Sequence, residues 1–61
     1  MILRSILVDD EVKSRANLRE LLKEYCSAVE VVGEAGSAPE ALKIIGQHAP
    51  DLLFLDIEMG A

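Results

Sequence analysis

Ile6-Leu7-Val8-Asp9-Asp10 and Leu52-Leu53-Phe54-Leu55-Asp56 share one build: a short apolar run that ends on acid. Apolar runs of this length, bounded by turn signals, read as buried strands of a parallel sheet. In an open α/β sheet, sites lie outside the carboxyl ends of the strands. Three carboxylates at two such ends therefore converge on one small patch. Two carboxylates about 5 Å apart repel by roughly 3 kcal/mol at an effective dielectric near 20. Such a patch needs a cation, or a chemistry that uses its charge.

Working outward, residues 2–8 form the first strand. After Asp9-Asp10-Glu11 the period changes. Leu18, Leu21, Leu22 and Tyr25 fall at i, i+3, i+4 and i+7, one stripe of a helix over about 11–26. Asp9 or Asp10 is placed to cap it. In its first turn Ser14 and Arg15 replace the stripe, which puts that end near solvent or near the acids. Val29, Val31 and Val32 make a second strand over about 29–35, with Glu30 and Glu34 at its wetter positions and Gly36 closing it. Ser37-Ala38-Pro39-Glu40 has capping-box spacing, and Pro39 fits a first helical turn because its missing N–H has no partner there. A helix over about 38–47 follows, with Ala38, Ala41, Leu42 and Ile45 as its buried stripe. Gly46 and Ala49-Pro50 end it. Residues 52–56 are the third strand. The order is βαβαβ; right-handed crossovers give strand order 2-1-3 with the helices on opposite faces. Asp9, Asp10 and Asp56 then flank the switch point between strands one and three.

Composition narrows the function. Eleven acids against six bases give a net charge of −5, so this segment does not suit nucleic-acid phosphates. No run is long enough for a membrane span or shaped as a signal peptide, and cytoplasm is the expected compartment. The single cysteine, Cys26, excludes an internal disulfide and reads as a buried thiol. His48, at the end of the second helix, reads as a complement to the helix dipole or as plainly solvent-exposed. Taken singly, each of the three acids also reads as a cap or turn residue. Together they favour a hard cation: oxygen-only ligands with high negative charge suit magnesium, which keeps several waters and uses one or two carboxylates. A strand-end carboxylate can also act as a nucleophile toward a phosphoryl group.

Ile6-Leu7-Val8-Asp9-Asp10-Glu11, Gly33-Glu34-Ala35, Pro39-Glu40-Ala41-Leu42 and Pro50-Asp51-Leu52-Leu53-Phe54-Leu55-Asp56-Ile57-Glu58-Met59 together resemble the N-terminal half of the receiver domain of two-component response regulators. The resemblance covers essentially all of residues 1–61 and implies half of a flavodoxin-like doubly wound parallel sheet, a truncated receiver domain. It implies that Asp56 is the phosphoacceptor that takes a phosphoryl group from a sensor histidine kinase. Asp10 would be a direct Mg2+ ligand, with Asp9 acting mainly through metal-bound water. Asp56 and the backbone carbonyl of Glu58 would complete the metal set. The Glu58 side chain would lie at the mouth of the site. A receiver is a signalling domain that catalyses at most its own phosphorylation and dephosphorylation. The style of the motifs is similar to regulators with a C-terminal output domain of the LytTR DNA-binding type, which this chain does not contain.

Two departures accompany the resemblance. Gly60-Ala61 stands where the family has a Pro-Gly pair, and the chain stops before the strand-four hydroxyl residue and strand-five lysine of the family. Strand three is apolar throughout, an open template for pairing. The alternative to a working receiver is therefore a structural fragment that self-associates through that edge and is inactive in phosphotransfer. A magnesium-dependent phosphotransferase or nuclease core is a third class. Haloacid-dehalogenase-like and Toprim-like folds, however, want an Asp-x-Asp that Asp56-Ile57-Glu58-Met59 does not supply.

Overall fold

Four consecutive residues, Ser5 to Val8, are buried, and the rest of the chain closes around them. The computed structural model describes residues 1–56. It places β1 at Leu3–Val8, α1 at Val12–Tyr25, β2 at Val29–Ala35, α2 at Ala38–His48 and β3 at Leu52–Leu55. The three strands are parallel in the order β2-β1-β3. β1 is thus the central strand, which explains its unbroken apolar run Ile6-Leu7-Val8.

Alternation along β1 sends its side chains to two faces. Ile6 and Val8 join Ala35 and Ala41 in the main cluster, with Val32, Ile44 and Ile45 packed against it. That is the α2 face. Leu7 pairs with Glu34 across the β1–β2 ladder, and Glu34 is bonded to Arg15 of α1, so the opposite face belongs to α1. The register of β1 with β2 shifts between Ser5 and Ile6, whose partners are Val31 and Gly33. Val32 is therefore an extra residue, a bulge. Beyond it Gly33 lies under α2, where an added Cβ would come within 2.8 Å of Ile44 Cγ2. The glycine lets the helix settle on the strand.

Several local expectations are corrected. The N-cap of α1 is Glu11, with no side-chain cap bond. Asp9 instead accepts the Glu11 N–H itself, at 2.8 Å. The helix meets the sheet through Leu22, its one buried residue, while Leu21 and Tyr25 are exposed. The stripe is turned toward Arg15, Leu18 and Leu22, because Arg15 is anchored under the helix. Cys26 is exposed: it is the C-cap of α1, beyond the last turn. In α2, Ala41 is buried but Leu42 and Ala38 are exposed, since Ile44 and Ile45 take the sheet-facing side. Ser37 caps the helix, accepting the Glu40 N–H at 3.3 Å. Among the described residues Glu40 makes no return bond, its exposed carboxylate being solvated. Gly46 lies inside α2 and does not end it. The helix stops at Ala49, which takes a left-handed conformation (φ 45°) and donates its N–H to Ile45.

Among the described elements, β3 is held by β1 alone. Its register runs from Ser5–Leu52 to Val8–Leu55, and neither helix packs on it. Asp51 fastens its start: the Asp51 N–H donates to the Arg4 carbonyl, and the Asp51 carboxylate accepts the Arg4 N–H, at 2.7 and 2.8 Å. No helix of the described residues is long and apolar enough to cross a membrane.

Candidate functional site

The ladder on both sides of β1 runs one residue past the strands. The Asp9 N–H donates to the Ala35 carbonyl, and the Asp56 N–H donates to the Val8 carbonyl, each at 3.0 Å. Asp9 and Asp56 therefore stand side by side at the carboxyl edge of adjacent strands, and Asp10 follows on the loop into α1. One carboxylate oxygen from each of Asp9, Asp10 and Asp56 lies within 4.8 Å of the other two. Asp9 and Asp56 are half-buried and Asp10 is exposed. The sequence expectation that these three share one pocket is met.

Asp9 is fixed at three points. Its N–H is in the sheet, its Oδ1 accepts the Glu11 N–H, and its carbonyl accepts a bond from Arg15 Nη1 at 2.6 Å. Beside it an open cavity of about 470 Å³ runs between α1 and β3, lined among others by Leu7, Asp9, Arg15, Leu18, Phe54 and Asp56. Its lining mixes apolar side chains (Leu7, Leu18, Phe54) with the charged Asp9, Arg15 and Asp56.

The donor set is all oxygen, carries three formal negative charges and is held at neighbouring strand ends. This suits a hard divalent cation such as Mg2+, for which spare coordination positions are filled by water or phosphoryl oxygens. Asp9, Asp10 and Asp56 are the described residues that would hold it. Glu58, expected to contribute its backbone carbonyl, lies outside the described residues. His48 occupies the last turn of α2.

The sequence reading missed an ionic brace beside the acids. Arg15 Nε donates to Glu34 Oε1 at 3.3 Å, and Arg19 Nη1 donates to Glu34 Oε2. Arg15 and Glu34 are mostly shielded, with 17% and 25% of their side chains exposed. Gly36 leaves space for the guanidinium, since a Cβ there would lie 3.3 Å from Arg15 Nη1. A signal was present: Arg15 and Arg19 are four apart, on one helix face, and share it with Leu18 and Leu22.

Comparison with known proteins agrees with this architecture. The chain matches the response regulator receiver domain family over residues 6–61. It belongs to that family, a signalling module of two-component systems rather than a conventional enzyme. It is 48% identical over 58 residues to an uncharacterized response regulatory protein of Vibrio cholerae, covering 95% of this chain and 24% of that protein. It is 43% identical over 58 residues to the transcriptional regulatory protein BtsR of Escherichia coli (strain K12), again covering 95% and 24%. An uncharacterized response regulatory protein of Yersinia pestis is 47% identical over the same length, with the same shares. The chain thus spans about a quarter of the length of the curated relatives it matches.

Proposed function

We propose that residues 1–61 are the first half of a receiver domain whose Asp56 accepts a phosphoryl group from a sensor histidine kinase with Mg2+ bound at Asp9, Asp10 and Asp56. The observation that carries this is the convergence of the three carboxylates within 4.8 Å at the ends of β1 and β3. An Asp56 carboxylate oxygen attacks phosphorus. An O–P bond forms, the P–N bond to the donor imidazole breaks, and the freed nitrogen carries the electron pair of that bond. A bound Mg2+ would neutralise charge on the phosphoryl oxygens. Asp10 and Asp9 would supply the negative charge that retains the ion, and the Asp56 N–H, donated to the Val8 carbonyl, fixes Asp56 at the end of the ladder. Glu58 would add its carbonyl. The expected setting is a cytoplasmic regulator in which a receiver is joined to an output domain, as the greater length of the relatives suggests. The name of the relative BtsR supports transcription as the output, and the motif style supports a LytTR-type DNA-binding domain.

Incubation with acetyl phosphate and Mg2+, followed by intact-mass measurement, tests the reading. A gain of one phosphoryl group that disappears in Asp56→Asn supports it; turnover of many phosphoesters without an adduct points to an enzyme core instead. A second reading, self-association through β3 with no phosphotransfer, is favoured by one feature. Leu53 and Leu55 on β3, with Leu42 on α2, are exposed. A dimer that takes up no phosphoryl group would establish that reading and displace the first.

A further inference from the structure

We infer that Arg15 is a positioning residue for the acidic site, acting through the backbone of Asp9; the inference rests on the metal-binding reading above. The guanidinium ties the end of β1 to both α1 and β2. Nη1 donates to the Asp9 carbonyl at 2.6 Å, and Nε donates to Glu34 Oε1 at 3.3 Å. Glu34 is itself gripped by Arg19, so Arg15 pulls against an anchored partner. The side chain is 17% exposed and seated beside Gly36, which restricts its rotamers. Asp9 passes the restraint on: with its carbonyl fixed, its carboxylate accepts the Glu11 N–H, and these two contacts bracket Asp10.

Two roles for Arg15 predict opposite signs. As a mere positive charge beside three carboxylates, it opposes cation binding, and its removal tightens Mg2+. As a brace, it preorganises the ligands, and its removal weakens Mg2+. Residues that orient metal ligands typically change affinity by about 10- to 100-fold when replaced. Arg15→Lys separates the two roles. It keeps the charge, but an ammonium lacks the planar fork that spans a carbonyl and a carboxylate together.

The test uses the chain Met1–Ala61, with Arg15→Lys, Arg15→Gln and Glu34→Gln variants. Mg2+ affinity is measured by calorimetry, and amide hydrogen exchange is measured without metal. Expected is a roughly tenfold weaker affinity in both Arg15 variants and a smaller loss, about threefold, in Glu34→Gln. In the metal-free chain, the Glu11 amide should exchange several-fold faster in Arg15→Lys, with Leu7 in the central strand unchanged. Tighter binding in Arg15→Gln, or equal acceleration at Glu11 and Leu7, overturns the inference, the latter showing general destabilisation. If the unsubstituted chain binds no Mg2+, the metal reading falls. The metal-free exchange comparison still decides the brace: selective acceleration at Glu11 supports it, and unchanged exchange overturns it.

Discussion

Replacing Asp10 by Asn should make the metal-free protein more stable, by an amount the geometry bounds. Its carboxylate lies within 4.8 Å of oxygens of both Asp9 and Asp56. At that separation two unit charges repel by about 3.5 kcal/mol at a dielectric near 20 and about 0.9 kcal/mol in water. Asp10 is exposed, so the water-like end applies, and the two neighbours together give about 1–2 kcal/mol. For a domain of this size that corresponds to a rise in Tm of roughly 8–16 °C. In 1 M salt the screening length falls to about 3 Å, shorter than the separation, and most of the gain should vanish. Mg2+ should reverse the ranking in part. At tenfold over its Kd a ligand adds about 1.4 kcal/mol, and a site weakened tenfold would gain only about 0.4 kcal/mol. The assay is thermal unfolding of both proteins at equal concentration, in low and high salt, with and without Mg2+. Identical metal-free midpoints, or a gain that survives 1 M salt, would refute electrostatic crowding as the property of this site.

Other positions give independent checks. Gly33→Ala would press a Cβ to 2.8 Å from the branched, stiff Ile44 and should cost about 1–3 kcal/mol in urea unfolding. Ala49→Gly should stabilise by about 1 kcal/mol, because Ala49 holds φ 45°, where a Cβ is unfavourable; an unchanged midpoint would argue against that cap. Ser5→Ala removes the buried hydroxyl that donates to the Glu30 carbonyl at 2.9 Å and should cost about 1 kcal/mol. Light scattering at micromolar concentration should show association of the chain, reduced by Leu55→Lys on the exposed face of β3; a folded monomer would contradict it.

Strand order and the acid cluster were legible because each rests on features read position by position. An apolar run that stops at Asp9-Asp10 or Asp56 marks a strand end, and the handedness of crossovers then sets the neighbours. Helix phase was less legible. The sheet-facing stripe of α1 contains Arg15 beside Leu18 and Leu22, and apolar periodicity adds to those two leucines Leu21 and Tyr25, which are exposed. The same limit applies in α2, where the sheet-facing side runs through Ala41, Ile44 and Ile45 and leaves Leu42 exposed. The Val32 bulge could not be read at all. Val31 and Val32 are equally suited to either face, and only the paired strand decides which is the extra residue. The partnership of Arg15 with Glu34 was hidden for a related reason: it joins two elements whose relative placement local spacing does not encode.

That β3 touches β1 and neither helix bears on how the cation would be captured. Asp9 belongs to the clamped part of the molecule and Asp10 to the loop beside it, whereas Asp56 rides on a ribbon four residues long. Were that ribbon to part from β1, the cage would open and a third of its charge would depart. Ion capture and ribbon closure are then one equilibrium seen from two ends. The affinity for an ion would then equal that of the closed cage scaled by the closed fraction, so whatever steadies β3 would tighten the grip without touching a ligand.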